Sequence, residues 1–168
     1  MPELIHQEKR QPSLLDRLMD DEPWEKKDPP EKRLLSPRQL KESVVWNLGW
    51  LMNTTHLASS VPLEEYEEVR HSCLNFGLPE LRRHTLSGLD AVELERGIRR
   101  AIIDFEPRIL KNTLRVTVNM DPEAVGRERS MLTFHIQGEI WTQPAPVPVY
   151  LRSVVDVEIG DVTISDIS

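Results

Sequence analysis

Along the chain, apolar residues first recur every three or four positions and later every second position, and the change falls at Pro107. Leu40, Val44, Leu48 and Leu51 form the first stripe, the spacing of a core-facing helix. Ser36-Pro37-Arg38-Gln39 opens it with a capping hydroxyl, a proline in the first turn and Gln where a capping box closes. The helix is expected to fade near Asn53-Thr54-Thr55. Trp46 and Trp50 lie one turn apart on another part of its surface, where neighbouring elements are expected to cover them, a partner being the minor alternative.

The pattern predicts a second helix over about 63–74, with Leu63, Tyr66, Val69 and Cys73 inward and Glu64, Glu65, Glu67 and Glu68 as its solvated face. Asn75-Phe76-Gly77-Leu78-Pro79 stops it, because Gly77 can take positive φ and Pro79 blocks continuation. A third helix is predicted over 90–105, with Leu94, Ile98, Ala101, Ile102 and Phe105 inward and Glu95 able to pair with Arg99 at i, i+4.

Beyond Pro107 the period is two. Leu110, Leu114, Val116, Val118 and Met120 share one parity; Leu132, Phe134, Ile136 and Ile140, interrupted by Gly138, make a second strand. After Pro144-Ala145-Pro146-Val147-Pro148, a third carries Val149, Leu151, Val155, Val157 and Ile159. One apolar face per strand predicts an antiparallel sheet of three strands or slightly more, covered on that face by about three helices. The expected fold class is α+β. A single domain is expected over 36–160, with an extended arm over 1–35 and a tail over 161–168.

The arm is interrupted by Pro2, Pro12, Pro23, Pro29 and Pro30, which block regular packing over much of its length. Ser13-Leu14-Leu15-Asp16-Arg17-Leu18-Met19 is an exception: Ser13 can cap a short helix whose Leu14, Leu15, Leu18 and Met19 share a face. Such a segment either folds back on its own domain or orders on a partner, and spacing alone does not choose.

Lys and Arg number 21 against 28 Asp and Glu in 168 residues, a net charge of -7 that argues against a nucleic-acid surface. Cys73 is the sole cysteine, which excludes an internal disulfide and fits a reducing compartment. The first ten residues hold no apolar secretory core, and no apolar run approaches the ~20 residues of a membrane span. A cytoplasmic protein without membrane insertion is expected, and the Asn53-Thr54-Thr55 glycosylation match is then chance.

Catalytic chemistry finds little support. His71 and Cys73 would point about 200° apart on a helix, and His6, His56, His84 and His135 are scattered, so neither a metal nor another cofactor is expected. Cys73 falls on the predicted apolar face, the setting of a buried inert thiol. There is no phosphate-cradling glycine loop and no nucleophile elbow. Glu106 follows Phe105 and is the acid whose context hints at burial, but Arg108 beside it opposes a role as proton donor. Glu106-Pro107-Arg108 instead reads as a rigid charged corner between helix and strand. It suits an internal salt bridge, which local physics slightly favours, or docking into a polar groove of a partner.

Ile102-Ile103-Asp104-Phe105-Glu106-Pro107-Arg108 followed by an alternating strand resembles the Glu-Pro-Arg motif of the baseplate-wedge proteins of contractile phage tails. That family includes the TssE subunits of type VI secretion baseplates. Ser13-Leu14-Leu15-Asp16-Arg17-Leu18 resembles the arm of the secretion-system members, and residues 36–54, ending Leu51-Met52-Asn53-Thr54, resemble the first helix. Ser72-Cys73-Leu74-Asn75-Phe76-Gly77-Leu78-Pro79-Glu80-Leu81 and Tyr150-Leu151-Arg152-Ser153-Val154-Val155-Asp156-Val157-Glu158-Ile159-Gly160 complete a collinear match over nearly the whole chain. Phe76, Glu80 and Met52 depart mildly, standing where the family has Tyr, Asp and Leu.

The resemblance implies a non-enzymatic structural component with a fold similar to the handshake domain of contractile sheath proteins. It implies docking on other wedge subunits (the core bundle) at the cytoplasmic side of the inner membrane, and nucleation of the first ring of sheath subunits. On this reading Glu106, Pro107 and Arg108 bind a partner, as do Leu14, Leu15, Arg17 and Leu18 of the arm. A regulatory protein-binding module of the same fold is the alternative. Peptidoglycan hydrolysis, despite a "lysozyme-like" label carried by family members, is less favoured.

Overall fold

Two helices carry the covering layer because each has a firm start and one apolar stripe. In the computed structural model, residues 12–18, 24, 35–80, 90–119, 131–156 and 159–167 are described. The helix α2 (Pro37–Met52) opens with a complete capping box: Gln39 N donates to Ser36 Oγ at 3.2 Å and Ser36 N to Gln39 Oε1 at 2.9 Å. Its buried residues are Leu40, Val44, Leu48, Leu51 and Met52. The helix α4 (Ala91–Phe105) is capped by Asp90, whose Oδ1 accepts from Val92 N and Glu93 N, and buries Leu94, Ile98, Ala101 and Ile102. Two shorter helices, α1 (Leu14–Leu18) and α3 (Glu67–Arg70), precede α2 and α4 respectively.

The sheet is antiparallel in the order β1 (Arg115–Asn119), β2 (Met131–Ile140), β3 (Val147–Asp156), β4 (Asp161–Asp166). Alternation sends Val116, Leu132, Phe134, Ile136, Val149, Leu151, Val155 and Val162 to the face under α2 and α4. The α+β class follows directly. At both ends α2 is tied to β4: Lys41 Nζ meets Asp166 Oδ2 at 2.6 Å, while Asn53 accepts from Val162 N and donates to Val162 O, each at 2.9 Å.

Several expectations change. The span 63–74 is not one helix: α3 occupies Glu67–Arg70, with 3₁₀ turns at Leu57–Ser59 and Cys73–Asn75. Leu63 is buried as expected, but Tyr66 and Cys73 are exposed. Ser72 and Asn75 offer the backbone local partners that compete with helix: Ser72 Oγ donates to Val69 O, and Asn75 Nδ2 donates to Arg70 O. A non-local ladder also claims the chain, with Leu78 N donating to Thr54 O at 2.8 Å and His56 N to Leu78 O at 2.9 Å. Gly77, at φ 126°, permits this approach: a Cβ there would sit 2.3 Å from Thr54 O.

The sheet also continues past residue 160, where Gly160 at φ 76° turns the chain from β3 into β4. Ile159 is exposed in that turn instead of inward; Met120, Val157 and the loop 121–130 lie outside the described residues. Gly138 does not break β2, and a Cβ there would meet Ile109 Cγ2 at 3.3 Å, so the strand is smooth where another segment crosses it. Glu95 and Arg99 are both spent on the sheet side: Glu95 Oε1 accepts from Val118 N at 2.8 Å, and Arg99 donates to the carbonyls of Leu114 and Lys111.

Candidate functional site

Pro107 lacks an N–H and excludes its predecessor from the helical region, so α4 must end at Glu106. Glu106 takes φ -124°, ψ 75°, while its N–H still donates to Ile102 O at 2.8 Å. The chain then turns sharply. Ile109 N donates to Glu106 O, Leu110 N to Glu139 O and Trp141 N to Arg108 O, which fastens the corner to the end of β2. This scaffold aims the side chains of Glu106 and Arg108 at each other.

Glu106 is 3% exposed. Its Oε1 accepts from Arg108 Nε at 2.7 Å and its Oε2 from Arg108 Nη2 at 2.6 Å, a parallel fork across a single proline. The remaining terminal nitrogen, Arg108 Nη1, donates to Ser43 Oγ of α2 at 2.9 Å. Ser43 Oγ in turn donates to Asp16 Oδ2 of α1 at 2.7 Å. The corner, α2 and the arm therefore share one polar chain. Burial pushes the Asp16 carboxyl up, but hydrogen bonds from Ser43 and Ser13, with the field of Arg108, hold it below the usual carboxylate value.

Both carboxylate oxygens of Glu106 are engaged by the guanidinium. Of the two readings left open by the sequence, the geometry is that of an internal ion pair. Pro107 itself is exposed at the surface of the corner.

Beside the pair lies a groove of about 630 Å³, lined by Trp46, Asn47, Leu48, Trp50, Leu51, Phe76 and Phe105, with Glu106 closing one side. Trp46 and Trp50 are 42% and 60% exposed, contrary to the expectation that neighbours cover them. They pack edge to face at 5.8 Å between ring centroids, as do Phe76 and Phe105 at 5.2 Å. The stripe Leu40, Val44, Leu48 uses the face of α2 toward the sheet, which turns Ser43, Trp46, Asn47 and Trp50 to the outer side.

In the arm, Leu14 and Leu18 are each 72% exposed while Asp16 faces the domain. The side chains of Leu15 and Arg17 lie outside the described residues. Cys73, expected to be a buried thiol, is exposed because its segment forms a 3₁₀ turn at the surface. His71 is engaged elsewhere, its Nδ1 lying 2.9 Å from Asp104 Oδ2 and its Nε2 3.0 Å from Arg100 Nη2. Among the described residues no three His, Cys, Asp or Glu side chains cluster as metal ligands. No helix among them is long and apolar enough to cross a membrane.

Ser43 and Asp16 belong to this site and were not singled out by the sequence. A lone serine within a helix carries no signal, but the spacing Ser13-x-x-Asp16 is that of a capping box and was the available sign that Asp16 takes part in an ordered turn.

A meander covered on one face by helices, with a closed ion pair and an aromatic groove at one helix end, defines an α+β domain. Residues 38–145 match the family described as baseplate wedge protein gp25, and the chain belongs to this family of TssE-like baseplate wedge proteins. The matched span includes α2 from Arg38 on, all of α4 and the whole Glu106-Pro107-Arg108 corner. Membership makes this a phage-baseplate-like structural protein that works with other baseplate proteins. No curated protein and no solved structure matches the chain.

Proposed function

We propose that the chain is a baseplate subunit of a type VI secretion machine, that it docks on the other wedge subunits through the Glu106-Pro107-Arg108 corner, and that its sheet nucleates the contractile sheath. The observation that carries this reading is the aromatic groove beside the corner. An apolar concavity flanked by two exposed tryptophans and a rigid charged turn is the composition of an interface centre, where Trp and Arg supply most of the binding energy. Pro107 stands outward beside it, and the pair fixes its orientation. The arm adds a second contact through Leu14, Leu15, Arg17 and Leu18, of which Leu14 and Leu18 face outward.

The sheath role is supported by the sheet order, in which β1 and β4 are the outer strands, since an edge strand can accept a strand from another chain. Such a subunit works on the cytoplasmic side of the inner membrane. The test is co-purification of wedge subunits with a Trp46→Ala/Trp50→Ala variant, together with imaging of sheath formation in cells. Loss of both with an unchanged melting temperature supports the reading; normal co-purification and normal sheaths refute it.

A further inference from the structure

A helix as short as α1 has no stability of its own. Among the described side chains of α1, the attachment to the domain is polar: Asp16 Oδ2 accepts from Ser43 Oγ at 2.7 Å, and Ser43 Oγ accepts from Arg108 Nη1 at 2.9 Å. The arm also closes on itself, because Ser13 N donates to Asp16 Oδ2 at 3.0 Å and Asp16 N donates to Ser13 Oγ at 3.2 Å. The direction of each bond to Ser43 is fixed. A guanidinium can only donate and an ionised carboxylate only accept, so the hydroxyl receives from one and gives to the other, each bond strengthening the next. Arg108 is committed in the same way, its Nε and Nη2 to Glu106 and its Nη1 to Ser43.

We propose that Ser43 and Arg108 form a carboxylate-binding site on the folded domain, with the chain's own Asp16 as its ligand. Asp16 thereby latches the arm residues 13–18 beside the Glu106–Arg108 pair. The latch is intramolecular and stands whether or not a partner docks at the corner. It sets the orientation of the arm: with its carboxylate held inward, α1 turns Leu14 and Leu18 to solvent. A partner would then meet those leucines already ordered, and less conformational entropy would be lost on binding.

The test uses the full chain alone and follows amide hydrogen exchange in α1, with α4 as the reference. Asp16→Asn removes the charge with little change of shape, and Ser43→Ala removes the relay without touching the arm. Each is expected to speed exchange in α1 about tenfold or more while Ile98 and Ile102 keep their protection. The double variant should exchange no faster than the quicker single one, because both break the same contact. Exchange in α1 unchanged in Asp16→Asn overturns the latch, and so does an additive double variant. Should Ser43→Ala also loosen α4, Ser43→Thr replaces it: the retained hydroxyl is expected to keep α1 protected, and exchange in α1 as fast as in Asp16→Asn overturns the latch. No partner enters the measurement, so its failure leaves the docking reading where it stands.

Discussion

Arg108 grips Glu106, two residues back in its own chain, through two parallel hydrogen bonds of 2.7 and 2.6 Å. The proline between them makes the fork possible by ending the helix and turning the two side chains together. The acid so held is almost fully buried, and removal of its partner would strand a charge there.

Arg108→Met should therefore destabilise the isolated chain by about 3 kcal/mol, read by chemical denaturation. The pair is not required for folding as such. Glu106→Leu combined with Arg108→Met, which removes both charges at similar volume, should recover more than half of that loss. A double variant as unstable as Arg108→Met would show that the corner depends on the ion pair itself.

Trp50 and Leu48 lie two residues apart on α2 and should behave oppositely. Leu48 is fully buried, and Leu48→Ala should cost about 2–5 kcal/mol. Trp50 is more than half exposed, and Trp50→Ala should cost less than about 1 kcal/mol while impairing assembly. Equal losses of melting temperature in the two variants would remove the case for a partner at the groove.

Gly77→Ala tests the crossing of two backbone segments. With φ at 126° and a Cβ 2.3 Å from Thr54 O, the residue cannot gain a side chain without breaking the contact between Thr54 and Leu78. A loss of about 2 kcal/mol or more is expected on denaturation. A neutral substitution would mean that the segment after α3 is not held as described.

Acid should open the arm before the domain. The Asp16 carboxyl, faced by Ser13, Ser43 and Arg108, with Glu106 beyond, lies below the ordinary value of 3.8 in the folded chain. A depressed folded value means that its stabilisation is complete above the unfolded value and is lost as pH falls through the folded one. NMR signals of Leu14 and Leu18 should stay constant down to about pH 4 and shift below it, and Asp16→Asn should abolish that transition. A transition that persists in the variant would assign it to another group.

The apolar stripe of α2, the helix over 90–105 and the alternation of β1, β2 and β3 were legible because each rests on local periodicity. Residues 63–74 misled because Ser72 and Asn75 bond to the nearby backbone while Leu78 pairs with Thr54, and such pairing leaves no periodic trace. The strand β4 was missed because Val162 and Ile164 are too few apolar residues to stand out, and its anchor, Asn53, lies far away in sequence. The Glu106-Pro107-Arg108 corner was visible as a turn and as a family motif. Its closure through Ser43 to Asp16 was not, since a serine becomes a relay only when three distant elements meet around it.

On the proposed reading, the groove beside this corner faces a wedge subunit. A cryo-EM map of the assembled baseplate tests it most directly. The map is expected to show an apolar segment of another subunit between Trp46, Trp50 and Phe105, with Pro107 at its border and the Glu106–Arg108 pair still closed. A groove open to solvent in the complete assembly, with its neighbours docked elsewhere, would contradict it.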